Sequence, residues 1–104
     1  MKRVILDENL PQPLRHLLGG HRVVTVQYQG WSGIQNGDLL KLIDGAFDIF
    51  ITGDKNLRYQ QNLSGRKVAI IELPFSRLDS LQPLLTKIRA AIDTAKDGDY
   101  FQIQ

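Results

Sequence analysis

Two junctions in this chain set a carboxylate where an apolar run stops and a polar, helix-like segment begins. "KRVILDENLPQPLRHLL", residues 2–18, places Asp7 directly behind Val4, Ile5 and Leu6. "DIFITGDKNLRYQQNL", residues 48–63, places Asp54 behind Ile51, Thr52 and Gly53. If the two apolar runs are neighbouring strands, both acids emerge at one edge of one sheet. Two carboxylates brought close repel, so one must take up a proton or a cation must join them. Mg²⁺ and Mn²⁺ prefer oxygen ligands and keep several waters for a substrate phosphate to displace. Such an ion orients a water and stabilises charge during in-line attack on a phosphodiester. Hydrolysis of a phosphate ester is the chemistry open to the pair.

Other polar residues surround these two. Asp38, in "NGDLL", opens a helix-like segment, where an acid also interacts favourably with the helix dipole. Glu8 stands next to Asp7 and could support it, although neighbours on an extended chain point in opposite directions. Asn9 and Asn56 each suit a hydrogen bond to a carboxylate or water, and equally a helix cap. Lys55 and Arg58 follow the second acid and are placed to meet a phosphate, with plain surface charge as the competing role. Glu72, near the end of a later apolar run, is a further charge that such a site could use.

His16 and His21 have no partner at metal-binding spacing. Tyr28, Trp31 and Tyr59 have rings on which unpaired bases stack, though packing under the loop suits Trp31 better. Ser32 and Ser64 have no histidine base nearby in sequence, and no glycine-rich turn has the spacing of a phosphate cradle.

The elements that must position these residues alternate regularly. Arg3–Leu6 reads as a strand and Pro11–Leu18 as a helix with Leu14, Leu17 and Leu18 on one face, stopped by Gly19-Gly20. Residues 22–26 are β-branched and predict a second strand, followed by the loop "QYQGWSGIQNG". Asn36 is the expected N-cap of a helix carrying Leu39, Leu40, Leu42 and Ile43, with Gly45 at its end. Residues 48–52 predict a third strand and 57–63 a short helix. "KVAIIEL", residues 67–73, is the fourth strand, residues 78–95 a long helix, and 100–103 a final edge strand.

Alternation at this spacing predicts βαβ units and a mostly parallel sheet of four to five strands with helices on both faces. The continuous apolar runs suit strands buried on both sides. In such open sheets ligands bind beyond the carboxyl ends of the strands, where both acids fall.

Composition narrows the class. At 104 residues with 42% hydrophobic and 23% charged side chains, the expectation is one globular domain spanning residues 1–104, not a disordered chain. A net charge of +2 is compatible with nucleic acid without requiring it. The absence of cysteine excludes disulfides, thiolate metal sites and cysteine nucleophiles, and fits a cytoplasmic location. No apolar run approaches the roughly 18 residues of a membrane span. No signal-peptide pattern follows Lys2 and Arg3.

"VILDENLP", "GWSGIQNGDLL" and "DIFITGDKNLRYQQNL" together resemble the bacterial PIN-like family, once described only as a domain of unknown function and related to PIN-domain and Mut7-C-type ribonucleases. The similarity covers roughly residues 3–73. It implies a Rossmann-like α/β/α sandwich whose clustered acids hold Mg²⁺ or Mn²⁺ and hydrolyse single-stranded or structured RNA. By that resemblance Asp7 is the first-strand aspartate and Asp54 the aspartate of the Thr-x-Asp element, here "TGD". Asp38 stands for the acid after the second strand, as a ligand or as the group that orients the attacking water. Many relatives carry a second acid two residues beyond the Thr-x-Asp aspartate, where this chain has Asn56. The expectation is a metal-dependent ribonuclease, of the kind found as the toxin of a toxin–antitoxin pair. A small DNA-binding antitoxin and a homodimer through unused apolar helix faces are the partners to expect besides RNA. The alternative is a catalytically weak or inactive regulatory module that binds nucleic acid or protein on the same fold.

Overall fold

Each apolar run becomes a short strand, and all five strands join one sheet. The computed structural model describes residues 1–60 and 62–104 of the chain. Strands β1 (Arg3–Leu6), β2 (Arg22–Thr25), β3 (Ile49–Thr52), β4 (Ala69–Glu72) and β5 (Tyr100–Gln102) lie in the order β2-β1-β3-β4-β5, every pair parallel. The fold is therefore a Rossmann-like α/β/α sandwich. The expectation of a mostly parallel sheet resolves to a wholly parallel one, with β5 as the predicted edge.

Side chains alternate between the two faces of a strand, so each strand feeds two cores. Val4, Leu6, Ile49, Ile51, Ala69 and Ile71 pack beneath Leu14, Leu81, Ile88 and Ile92. Ile5, Phe50 and Ile70 point the other way, against Leu39, Leu40, Ile43 and Leu57. The strands β3 and β4 are buried along their whole length, each apolar run ending in a buried polar residue, Thr52 or Glu72.

The covering helices are α1 (Asn36–Ile43), α2 (Leu57–Gln60), α3 (Leu78–Leu81) and α4 (Leu85–Thr94). Several differ from the sequence expectation for identifiable reasons. The first predicted helix is a single 3-10 turn, Gln12–His16, with Pro13 in its first residues and only Leu14 buried. The long helix expected over residues 78–95 is interrupted by a 3-10 turn, Gln82–Leu84, because Pro83 has no N–H to donate and its ring crowds the preceding turn. Asn36 is not the N-cap of α1. Gln35 occupies that position in extended conformation, without a side-chain cap. α1 turns the Leu39, Leu40 and Ile43 stripe to the sheet and leaves Leu42 43% exposed. Gly45 does end α1, at a φ of 88° that favours glycine. Of the helix predicted for residues 57–63, α2 covers Leu57–Gln60. Its continuation through residue 61 lies outside the described residues, and residues 62 and 63 are not helical. No helix among the described residues is long and apolar enough to cross a membrane.

The order of strands matters for the site. The chain passes from β1 outward to β2, then returns across β1 to β3, so the path reverses between β1 and β3. The carboxyl ends of those two strands form the crevice of a topological switch point, where open parallel sheets bind ligands.

Candidate functional site

Asp7 extends β1 by one residue, its backbone N–H donating to the Ile51 carbonyl at 2.9 Å. Thr52 pairs with Glu72, and Glu72 with Gln102, so these four side chains make a row across the carboxyl end of the sheet. By alternation, that row lies on the face covered by α1 and α2.

Thr52 joins the two sequence-predicted acids. Its side chain is fully buried. The Thr52 hydroxyl donates to Asp7 Oδ2 at 2.7 Å and accepts the backbone N–H of Asp54 at 3.0 Å. The other oxygen of Asp7 accepts the Glu8 N–H at 2.8 Å. Asp54 is held from both sides: Oδ1 accepts the Asn56 N–H at 2.9 Å, and Oδ2 accepts the Asn36 side-chain amide at 2.9 Å. Asn9 supports the same turn by accepting the Gly53 N–H at 3.3 Å. Asp7 and Asp54 thus sit at one edge, tied through a single hydroxyl.

The electrostatics follow from burial. Asp7 is 7% exposed, and withdrawal from water raises its carboxyl above the ordinary value. The hydrogen bonds from Thr52 and the Glu8 N–H oppose that rise, and the negative charges of Glu8 and Asp54 add to it. A buried carboxylate beside other acids is a group that a cation relieves.

The remaining predicted residues fall in different places. Glu8 turns away from Asp7 and clamps the loop after β2, accepting the Ser32 hydroxyl at 2.6 Å and the Gly33 N–H at 3.1 Å. Those two bonds hold its carboxyl below the ordinary value. Asp38 is exposed in the first turn of α1. Asn36, two residues earlier, is the side chain by which α1 reaches Asp54. Asn56 and Lys55 are exposed beside the Asp54 turn. Arg58 lies over the Tyr59 ring at 4.8 Å and donates to its hydroxyl at 2.7 Å.

The two histidines and the tryptophan have structural roles. His21 Nε2 lies 2.7 Å from Asp93, while its Nδ1 accepts the Lys2 N–H at 3.1 Å. His16 is exposed. Trp31 packs edge-on against Phe47 beneath the loop, with ring centroids 6.2 Å apart.

Two features carried little sequence signal. Glu72 is buried next in the row, accepting the Tyr100 hydroxyl at 2.7 Å and the Gln102 amide at 3.2 Å. Burial first, and the Glu72 carboxylate second, push the Tyr100 hydroxyl far above its ordinary value. Thr52 itself is visible in the sequence only as part of "TGD".

The donor set can be tested against a divalent ion. Each oxygen of Asp7 and Asp54 accepts one hydrogen bond, which leaves about one further lone pair on each. Two carboxylates offering hard oxygens, Asp7 buried and Asp54 half-buried, match the one or two carboxylates by which Mg²⁺ is ordinarily held. A closed cage of acids does not form: among the described residues, no three His, Asp or Glu side chains are gathered to hold a metal ion. No family model, curated protein or solved structure matches this chain.

Proposed function

We propose that this protein is a metal-dependent ribonuclease of the PIN-like kind, acting on single-stranded or structured RNA in the cytoplasm as the toxin partner of a small DNA-binding antitoxin. One observation carries the reading. The Thr52 hydroxyl donates to the Asp7 carboxylate and accepts the backbone N–H of Asp54, which sets both acids at the switch point of a parallel sheet. Asp7 and Asp54 would hold Mg²⁺ or Mn²⁺, which supplies charge neutralisation at a phosphodiester and a more acidic water when bound.

The protein's own part is preorganisation. Thr52 fixes the inner oxygen of Asp7, while Asn36 and the Asn56 N–H fix both oxygens of Asp54. Neither carboxylate has to reorganise when charge arrives, which is how such sites lower a barrier. Burial of Asp7 keeps water from screening that charge. Lys55 and Arg58, exposed on the turn and helix after Asp54, would hold the RNA backbone. Asp38, at the start of α1, is assigned to orient the attacking water once substrate is bound.

A second reading has its own support. Asn56 stands where the resemblance implies an acid, and among the described residues no carboxylate trio is gathered, features that favour a binding module with weak or no catalysis. One experiment separates the two: RNA cleavage with Mn²⁺ by wild type and Asp7→Asn, with circular dichroism to check the fold. The expected result is cleavage by wild type and a loss of about a hundredfold or more in the variant. Equal cleavage by both would remove Asp7 from the assignment. RNA binding without cleavage, and without dependence on divalent ions, would establish the binding module.

A further inference from the structure

Next to Asp54, the carboxyl ends of β3 and β4 border a cavity of about 340 Å³ that the acids do not account for. Gly53 lines it on one side, and Phe75, Ser76, Arg77 and Ser80 on the other, with Lys55 completing the wall. Its volume is at the low end of small-molecule sites, the scale of one nucleotide rather than a large cofactor.

Its lining combines two kinds of contact. Phe75 is 51% exposed and belongs to neither core, so its ring presents a face to solvent directly after β4. Lys55 is exposed and forms no ion pair among the described residues. Arg77, by contrast, is paired with Asp79 at 3.0 Å, so the ammonium of Lys55 is the uncompensated charge of the cavity. Ser76 and Ser80 add hydroxyl donors. A ring that stacks a base, beside a cation and hydroxyls that hold a phosphate, is how single strands are gripped without sequence readout. An acidic peptide would satisfy Lys55 but would leave the Phe75 face unused.

We propose that this cavity is a nucleotide subsite, in which Phe75 stacks one base of a single-stranded RNA while Lys55 and the serine hydroxyls hold the adjoining phosphate. Gly53 and Lys55, which line the cavity, flank Asp54 on either side in the chain, so the subsite adjoins the acidic turn. The inference rests on reading Asp7 and Asp54 as a nuclease site, and names where the strand beside the scissile phosphate is held.

The test is fluorescence anisotropy with a labelled single-stranded RNA in EDTA, so that binding is read without cleavage. Phe75→Leu should weaken binding about tenfold, the scale of one lost base stack, whereas Phe75→Trp should retain it. Lys55→Gln should weaken binding several-fold and reduce the salt dependence by about one ion. Leu42→Gln, exposed on α1 away from the cavity, should bind as wild type does. Wild-type affinity in both Phe75→Leu and Lys55→Gln would overturn the subsite. So would displacement of the RNA by a polyglutamate peptide, which would assign the cavity to acidic peptides, or failure of wild type to bind RNA.

Cleavage assays separate this inference from the one beneath it. Mn²⁺-dependent cleavage lost in Asp7→Asn but untouched in the Phe75 and Lys55 variants would sink the subsite and leave the nuclease. Binding lost in those variants, with no cleavage by wild type, would keep the subsite and sink the nuclease.

Discussion

Replacing Thr52 by valine tests the central geometric claim, because the two side chains have nearly the same shape and differ by one hydroxyl. That hydroxyl is fully buried, donates to Asp7 Oδ2 at 2.7 Å and accepts the Asp54 N–H at 3.0 Å. A bond to a charged acceptor contributes about 1.5–3 kcal/mol, and leaving the Asp54 N–H without its partner costs about 1 kcal/mol. The valine methyl, more favourably buried than a hydroxyl, offsets about 1 kcal/mol. The net expectation is a loss of about 1.5–3 kcal/mol, or roughly 7–15 °C in Tm for a domain of this size.

The assay is a thermal melt of wild type, Thr52→Val and Thr52→Ser, repeated in an Asp7→Ala background. Thr52→Ser should keep most of the stability, since it keeps the hydroxyl. In the Asp7→Ala background only the lost Asp54 N–H partner and the offsetting methyl remain, so Thr52→Val should cost close to nothing, giving a coupling of about 1.5–3 kcal/mol between the two residues.

The direction with pH is also fixed. The Thr52 bond lowers the Asp7 carboxyl against the larger upward push of burial, so its loss raises the folded value further. The folded valine variant then binds the Asp7 proton over a range where folded wild type has released it. The stability gap must widen as pH rises through that range and stay level on either side of it. A Thr52→Val melt within about 2 °C of wild type, or no coupling to Asp7, would refute the claim that one hydroxyl joins the pair.

Two further predictions concern the periphery. Lys2 Nζ donates to the carbonyls of Ile92, Asp93 and Ala95 at 2.6, 3.2 and 2.8 Å, where α4 leaves its last acceptors unfilled. Lys2→Met should lower stability by about 1–2 kcal/mol in dilute buffer, and the deficit measured by urea unfolding should shrink at high salt. Tyr100 keeps its proton above the ordinary tyrosine value because of burial and the Glu72 carboxylate, so native stability should fall as pH rises above about 10. Ultraviolet titration should show one of the three tyrosines ionising late, and Glu72→Gln should move that step part of the way down; an unmoved step would remove Glu72 as a cause.

Much of this arrangement was legible because apolar continuity and turn chemistry are local properties. The runs behind Asp7 and Asp54 read as strands ending in acids, and both acids lie at the expected edge. The roles of Asn36 and Glu8 were not legible, because each depends on a partner far along the chain. Asn36 suited an N-cap on sequence alone, yet its amide turns to Asp54, 18 residues away. Glu8 stood beside an acid in sequence but satisfies Ser32 and Gly33, so its charge stabilises a loop. The break at Pro83 was visible in the sequence, but the strong leucine and isoleucine spacing over residues 78–95 masked it. Phe75 carried no signal of its own, since an aromatic after a strand ordinarily packs inward.

The hydrogen bond from the Asp7 N–H to the Ile51 carbonyl belongs at once to the acidic site and to the ladder between β1 and β3. The geometry of the acids and global cooperativity therefore rest on the same rung. If the proposed nuclease reading holds, a mutation that loosens the β1–β3 seam should reduce cleavage in proportion to the population of opened molecules, even when it lies far from the carboxylates. In evolutionary terms, the site cannot drift independently of the sheet. Selection for a working pair of acids is also selection for the central strand pair that carries them.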